Sequence, residues 1–129
     1  MQVAKTVEAL QLYVCTVLAG GVFLPLNTGY TAAEVDYFLS DATPRILVCD
    51  PGTLDPLTPI AGKAGVSYVL TLGANGAGTL TQATQKAAPL QQAVARRRDD
   101  LAAILYTSGT TGRSKGAMLS HGALASNSI

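Results

Sequence analysis

The chain of 129 residues contains no tryptophan, a single histidine, two cysteines and only 13% charged residues. Its formal net charge of +1 gives no reason to propose a nucleic-acid or membrane-surface partner. No apolar run approaches the roughly 18 residues of a membrane-spanning helix. The first residues also lack a secretory pattern, since Lys5 and Glu8 interrupt them early. We therefore expect a cytoplasmic protein without a nucleic-acid or membrane partner.

The two cysteines are too few and too isolated to form a metal site. Neither Cys15 nor Cys49 stands at metal-ligand spacing from the other cysteine or from a histidine. Both lie among apolar residues, which predicts reduced, buried thiols; a disulfide is the alternative. No metal ligands are expected in this chain.

What the sequence does contain is a glycine- and hydroxyl-rich stretch, Tyr-Thr-Ser-Gly-Thr-Thr-Gly-Arg-Ser-Lys-Gly, at residues 106–116. An apolar run at 101–105 precedes it, and a helix is predicted from about Ser120. Glycine lets backbone N–H groups turn toward an anion, and hydroxyl groups add uncharged donors. Lys115 supplies a mobile positive charge, and each charge-assisted hydrogen bond contributes roughly 1.5–3 kcal/mol. The pattern predicts a strand, a phosphate-binding loop and then a helix.

This loop does not have the spacing of the common NTPase P-loop. That motif requires four residues between its first glycine and a Gly-Lys-[Ser/Thr] triplet. Counting from Gly109 leads to Ser114, and counting from Gly112 leads to Ala117. A mobile surface loop without a ligand remains the alternative at the level of composition.

The order of residues in the loop strongly resembles the phosphate-binding motif of the adenylate-forming enzymes, which include acyl-CoA synthetases, peptide-synthetase adenylation domains and luciferases. The match runs Thr-Ser-Gly-Thr-Thr-Gly-x-x-Lys-Gly over residues 107–116. The continuation at 113–121 looks most like malonyl-CoA synthetases, and residues 18–27 resemble a second family motif. Most family members have proline where Ser114 stands, and its loss loosens the unbound loop by about 0.4–1 kcal/mol.

The remaining chain alternates between helical and strand patterns. A capping box, Thr31 with Glu34, begins one predicted helix, and apolar residues at three- and four-residue steps predict an earlier one. Helices are predicted at 6–19, 31–41, 57–64 and 79–88, and strands at 22–24, 46–49, 66–72 and 101–106. The alternation predicts an α/β fold with a mainly parallel sheet, built from βαβ units with flanking helices. Phosphate would lie beyond the carboxyl end of the last strand.

The resemblance implies that residues 1–129 form part of the large N-terminal AMP-binding (adenylation) domain, with no complete second domain. It implies a parent enzyme several times longer, an ATP-dependent carboxylate–CoA ligase with malonate or a similar small acid as substrate. ATP, Mg²⁺ and coenzyme A are its implied cofactors and co-substrates. The residues for adenine, Mg²⁺ and the acyl group, and a catalytic lysine, would lie in the remainder of the parent chain. The isolated fragment is therefore expected to be inactive.

The predicted site contains phosphate-binding residues but no catalytic nucleophile. Lys115 would neutralise phosphate charge, Arg113 is a weaker candidate, and Gly116 would join the loop glycines in permitting the loop conformation. The predicted binding residues are Thr107, Ser108, Gly109, Thr110, Thr111, Gly112 and Lys115.

A structural role is predicted, in preference to a functional one, for Tyr106, for His121 and for the charged residues at 96–100. Tyr106 is predicted to pack at the strand end, with a polar role as its alternative. His121 is predicted to begin a helix and not to act as a base. The arginines and aspartates at 96–100 are predicted to form a surface charge cluster.

Two other functions stay open at this point. One is a non-catalytic phosphate- or nucleotide-binding module, which a natural stop codon after Ile129 would favour. The other is a structural α/β domain with an inert loop.

Overall fold

The computed structural model describes residues 1–107 and 112–128. Helices α1 to α5, strands β1 to β4 and one 3₁₀ turn follow in chain order: α1 Val7–Leu18, α2 Ala32–Ala42, β1 Ile46–Cys49, the 3₁₀ turn Pro51–Thr53, α3 Leu54–Lys63, β2 Tyr68–Thr71, α4 Thr79–Lys86, β3 Leu101–Thr107, β4 Lys115–Ser120 and α5 His121–Ser126. The chain divides into two units, residues 1–9 with 26–88 and residues 10–25 with 89–129.

The first unit contains the predicted βαβ arrangement. β1 pairs in parallel with β2, with Ile46 opposite Tyr68 and Cys49 opposite Thr71. The chain crosses between these strands through the 3₁₀ turn and α3. Since parallel neighbours need such a crossover connection, the alternation in sequence predicted this part of the topology correctly.

Helix α2 begins where the capping box predicted. The Thr31 hydroxyl accepts from the Glu34 backbone N–H at 3.3 Å, and the Glu34 carboxylate accepts from the Thr31 N–H at 2.7 Å. The buried face of α2 carries Val35, Phe38 and Leu39. Phe38 packs its ring against Tyr30, with centroids 4.9 Å apart, so α2 is held to the core of this unit by aromatic as well as aliphatic contacts.

Helix α1 forms as predicted, but its apolar stripe is exposed. Val7 is 69% exposed and Leu10 is 61% exposed, and Val14 and Leu18 continue the same side of the helix. Cys15 is also exposed, so the prediction that both thiols are buried was wrong for Cys15 and right for Cys49. Local periodicity predicts a helix, whereas burial depends on which other segments cover it.

The second unit holds an antiparallel hairpin that the sequence pattern did not predict. β4 pairs with β3, and a register shift lies between Leu101 and Ala103. The predicted order of strand, loop and helix was therefore wrong in one respect, because β4 separates the loop from α5. The predicted strand at 22–24 reduces to one parallel bridge between Phe23 and Ala103.

Candidate phosphate-binding site

The loop that resembles a phosphate-binding motif connects β3 to β4 and closes the hairpin at its Thr107–Lys115 end, here called the hairpin mouth. Thr107, the last residue of β3, pairs with Lys115, the first residue of β4. Residues 108–111 lie between them in the chain and outside the described residues. The predicted ligands Ser108, Gly109, Thr110 and Thr111 therefore stay predictions.

Two residues of the predicted site that the structure describes carry polar side chains, and these two, Thr107 and Lys115, pair across the hairpin mouth. Directly opposed residues in an antiparallel pair project to the same face of the sheet, with Cβ atoms about 4.5–5.5 Å apart. The Thr107 Oγ1 donates to the Lys115 carbonyl oxygen at 3.4 Å, and both residues are exposed. The hairpin thus places the side chains of Thr107 and Lys115 on the same face of the sheet at the base of the loop.

Gly112 has the backbone conformation that the sequence predicted for a loop glycine. Its φ is 143°, a value that side chains disfavour, although a Cβ there would meet nothing within 4 Å. The requirement for glycine at this position is therefore conformational. Arg113, the weaker candidate for phosphate, is also exposed.

The strand that carries Thr107 is fixed on its other edge. The Phe23 N–H donates to the Ala102 carbonyl at 2.9 Å, and the Ile104 N–H donates to the Phe23 carbonyl at 2.9 Å. Tyr13 packs on Phe23, with ring centroids 4.7 Å apart. Because Ala102 and Ala103 are buried as well, the middle of β3 is held on both edges and can serve as a support for the loop.

Arg96 has a contact that sequence reasoning missed. Its guanidinium donates to the Gly20 carbonyl at 2.6 Å, just beyond the C-terminal end of α1. A cation at this position also complements the negative end of a helix dipole. The predicted surface charge cluster agrees with the exposure of Arg96. The bond to Gly20 could not be predicted from local sequence, because the two residues are 76 positions apart.

His121 begins α5, as predicted. Ser120 caps the helix by accepting from the Ala123 N–H at 3.1 Å, and the His121 N–H donates to the Asp100 carbonyl at 2.9 Å. The His121 Nε2 is buried and has no hydrogen-bond partner among the described residues. These contacts give His121 a place at the helix start and do not join it to the hairpin mouth.

Gly116 does not have the role predicted for it. It was expected to permit the loop conformation, but it lies inside β4, directly opposite Tyr106. A Cβ on Gly116 would lie 3.4 Å from two atoms of the Tyr106 ring. Tyr106 therefore packs across the hairpin, as predicted, and Gly116 lies in strand backbone that does not need the conformational freedom of glycine.

The side chains of the predicted site that the structure describes offer groups suited to binding an anion. A lysine ammonium and a threonine hydroxyl can both donate to phosphate oxygens. In the described part of the chain, no cluster of His, Cys, Asp or Glu could hold a metal ion. None of its helices is both long enough and apolar enough to cross a membrane.

Comparisons with known proteins show which family this chain resembles. The family model described as "AMP-binding enzyme" matches residues 1–129. The mitochondrial malonate–CoA ligase ACSF3 of Mus musculus is 35% identical over 108 residues, covering 84% of this chain and 18% of its own length. The probable CoA ligase CCL9 of Humulus lupulus is 29% identical over 127 residues, with 95% of this chain and 24% of its own length covered.

A solved structure extends the likeness to the fold. The crystal structure of ATP-bound MatB from Rhodopseudomonas palustris is 61% identical, with a TM-score of 0.93. The match covers 98% of this chain and 25% of the MatB chain. This chain thus spans a quarter or less of the length of these relatives. Since the family model covers all 129 residues, the chain belongs to the AMP-binding enzyme family.

Proposed function

We propose that the protein to which this chain belongs is an AMP-forming carboxylate–CoA ligase, and that this chain supplies part of the clamp on the β- and γ-phosphates of ATP. The observation that carries the proposal is the pairing of Thr107 with Lys115 at the hairpin mouth, with the Ser-Gly-Thr-Thr segment between them. The 61% identity to a MatB chain solved with ATP supports the choice of ligand.

The proposed reaction has two steps. A carboxylate oxygen attacks the α-phosphorus of ATP, the bond to pyrophosphate breaks, and an acyl-adenylate forms. The thiol of coenzyme A then attacks the acyl carbon, the thiol proton is lost, and AMP leaves as the thioester forms. The first step is needed because a free carboxylate is a poor electrophile.

The residues of this chain act on the leaving group. Negative charge accumulates on the β-phosphate as pyrophosphate departs, and a fixed cation with several hydrogen-bond donors stabilises that charge. Lys115 would supply the cation. Thr107, the hydroxyls at 108, 110 and 111 and the N–H groups near Gly112 would supply donors. Mg²⁺ would accompany ATP and share in this neutralisation, but the described residues offer no ligand cluster for it, so no role in holding the metal is assigned to them.

Malonate is the proposed acyl substrate. The support is the likeness to a relative named malonate–CoA ligase, together with the malonyl-CoA synthetase-like continuation at 113–121. The test is AMP release by the full-length protein, with ATP, coenzyme A and either malonate, acetate or a long-chain acid. Higher kcat/KM for malonate is expected; a clear preference for acetate or a long-chain acid would contradict the substrate assignment.

The phosphate assignment is tested by Lys115→Ala in the full-length protein. Loss of one charge-assisted hydrogen bond, at roughly 1.5–3 kcal/mol, predicts a roughly 10- to 150-fold loss in kcat/KM for ATP. Lys86→Ala is the matched control, since it removes an exposed lysine from α4, outside the hairpin. Equal adenylation by Lys115→Ala and Lys86→Ala would favour an inert loop. ATP binding that depends on Lys115, without AMP release from any acid, would favour a non-catalytic nucleotide-binding module.

A cytoplasmic location is part of the same proposal. The support is that both cysteines, Cys15 and Cys49, are free thiols, as is usual in a reducing compartment. Cell fractionation of the full-length protein provides the test, and recovery in an organelle or in membranes would contradict it.

A further inference from the structure

Of the two motif glycines that the structure describes, Gly112 and Gly116, it is Gly116 that lies in a regular strand. It belongs to β4, and strand backbone can accommodate any residue with a side chain. Glycine in a strand interior is ordinarily unfavourable, since it costs chain entropy and contributes no side chain to packing. Its presence here therefore calls for a reason other than backbone freedom.

The reason lies on the face of the hairpin that Gly116 shares with Tyr106 and Ile104. Alternate residues of β3 project to one face, and Gly116 stands directly opposite Tyr106. A Cβ on Gly116 would lie 3.0 Å from the Ile104 Cγ2 and 3.4 Å from the Tyr106 Cε1 and Cζ. An aromatic side chain that lies over a cross-strand glycine is a known way of stabilising such a pair.

The tighter of these contacts has little means of relaxing. The Ile104 Cγ2 is bonded to Cβ, so it moves only with χ1 or with the backbone, and β-branched side chains are stiff at χ1. Ile104 N–H is also bonded to the Phe23 carbonyl at 2.9 Å, which fixes the backbone of β3 on its other edge. A methyl group at position 116 would therefore displace β4 more readily than β3.

The displacement would act at the loop. Tyr106–Gly116 is the last pair before Thr107–Lys115, the pair at which the loop begins and ends. We propose that Gly116 is a positioning residue for nucleoside-triphosphate binding. Its missing side chain seats the Tyr106 ring and the Ile104 methyl, and this close approach sets the placement of Lys115 relative to Thr107. The inference rests on the proposed function, since it takes the hairpin mouth as the phosphate site.

The test is Gly116→Ala in the full-length protein, with the dissociation constant for ATP as the main measurement. Misplacement of binding groups by about 1 Å can cost on the order of 100-fold in function, so weakening of ATP binding by at least about tenfold is expected. KM for ATP should rise while KM for the acid and for coenzyme A stay within about twofold, because the perturbed pair belongs to the proposed phosphate site.

Two further variants separate positioning from general destabilisation. Gly62→Ala is the matched control, since a Cβ there meets nothing within 4 Å, and it should leave ATP binding unchanged. The double variant Ile104→Ala/Gly116→Ala lacks the Ile104 methyl that the new Cβ would meet. This double variant should therefore bind ATP more tightly than Gly116→Ala alone. If Gly116→Ala does not fold, the same comparison is made between the double variant and Ile104→Ala alone, which should bind ATP with affinities within about threefold of each other.

The outcomes distinguish this inference from the proposed function. ATP binding by Gly116→Ala that equals the unsubstituted protein, or a double variant with no recovery, overturns the positioning role. A fall in melting temperature with an unchanged KM for ATP does so as well. If Lys115→Ala also leaves ATP binding unchanged, the proposed phosphate site itself has failed, and not only the role of Gly116.

Discussion

Replacing Gly78 by alanine is expected to break the junction between β2 and α4. Gly78 is the residue immediately before α4, and its own φ of 155° and ψ of 177° lie in a region of backbone space that is almost restricted to glycine. A Cβ at this position would lie 2.1 Å from the Thr71 carbonyl oxygen. The backbone atom cannot rotate away, so the strand end, the helix start or both must move.

The movement would cost the hydrogen bonds that join the two elements. The Thr71 N–H donates to the Thr79 Oγ1 at 2.9 Å, and the Thr79 N–H donates to the Thr71 Oγ1 at 3.0 Å. Each bond contributes about 0.5–1.5 kcal/mol, and the unfavourable backbone conformation adds about 1–3 kcal/mol. The expected loss in local stability is therefore about 3 kcal/mol.

Amide hydrogen exchange measures this loss locally, which matters if the chain is studied within a longer protein. A loss of about 3 kcal/mol corresponds to a roughly 100-fold faster exchange rate for amides that exchange only when this junction opens, measured in a proteolytic peptide covering residues 68–82. Gly62→Ala is again the control, because its Cβ has open space in α3. Exchange in Gly78→Ala that matches Gly62→Ala would show that the strand and helix ends can separate at little cost, and the reasoning would be wrong.

Three further predictions concern the caps and the buried thiol. The pKa of Glu34 is lowered mainly by the hydrogen bond from the Thr31 N–H and secondly by the one from the Thr31 hydroxyl. The stability that Glu34 contributes is therefore fully present above the ordinary glutamate pKa of about 4.3, and it is lost as pH falls through the lowered pKa. Acid unfolding of Glu34→Gln should lack that pH dependence, and an unchanged acid midpoint would count against the cap. Burial raises the pKa of the Cys49 thiol, so alkylation in the native protein should be at least about 100-fold slower than after denaturation; rapid native labelling would contradict the buried placement. Arg96→Ala should increase amide exchange at the C-terminal end of α1 while costing less than about 1 kcal/mol, since the bond is exposed; unchanged exchange there would show that the contact does not hold the helix end.

Local sequence signals predicted the elements whose causes are local. Thr31 and Glu34 are three residues apart, and their reciprocal bonds appear at the start of α2 as the capping box requires. The order of strand, crossover and strand predicted the parallel pairing of β1 with β2. The conformation of Gly112 was predictable too, because positive φ is a property of a single residue and its neighbours.

The antiparallel hairpin was not predictable in the same way. β4 has four exposed residues followed by two half-buried ones, so it lacks the apolar alternation that marks a half-buried strand. Its pairing with β3 is seen only when the strand across the hairpin is known. The loop role expected of Gly116 was wrong for this reason, since its place in a strand and its nearest neighbours, Ile104 and Tyr106, are set by the other strand.

The sequence by itself determined the family of the loop motif, the capping box of α2, the start of α5 and the α/β class, because each depends on residue order or on spacing within a few positions. Tertiary structure alone decided that Thr107 and Lys115 face each other, that Arg96 holds the Gly20 carbonyl and that the apolar stripe of α1 is exposed. These features join residues distant in the chain, or depend on what covers a surface. The periodicity of apolar residues shows which residues share a face of a helix or strand. It does not show which other segment, if any, packs against that face.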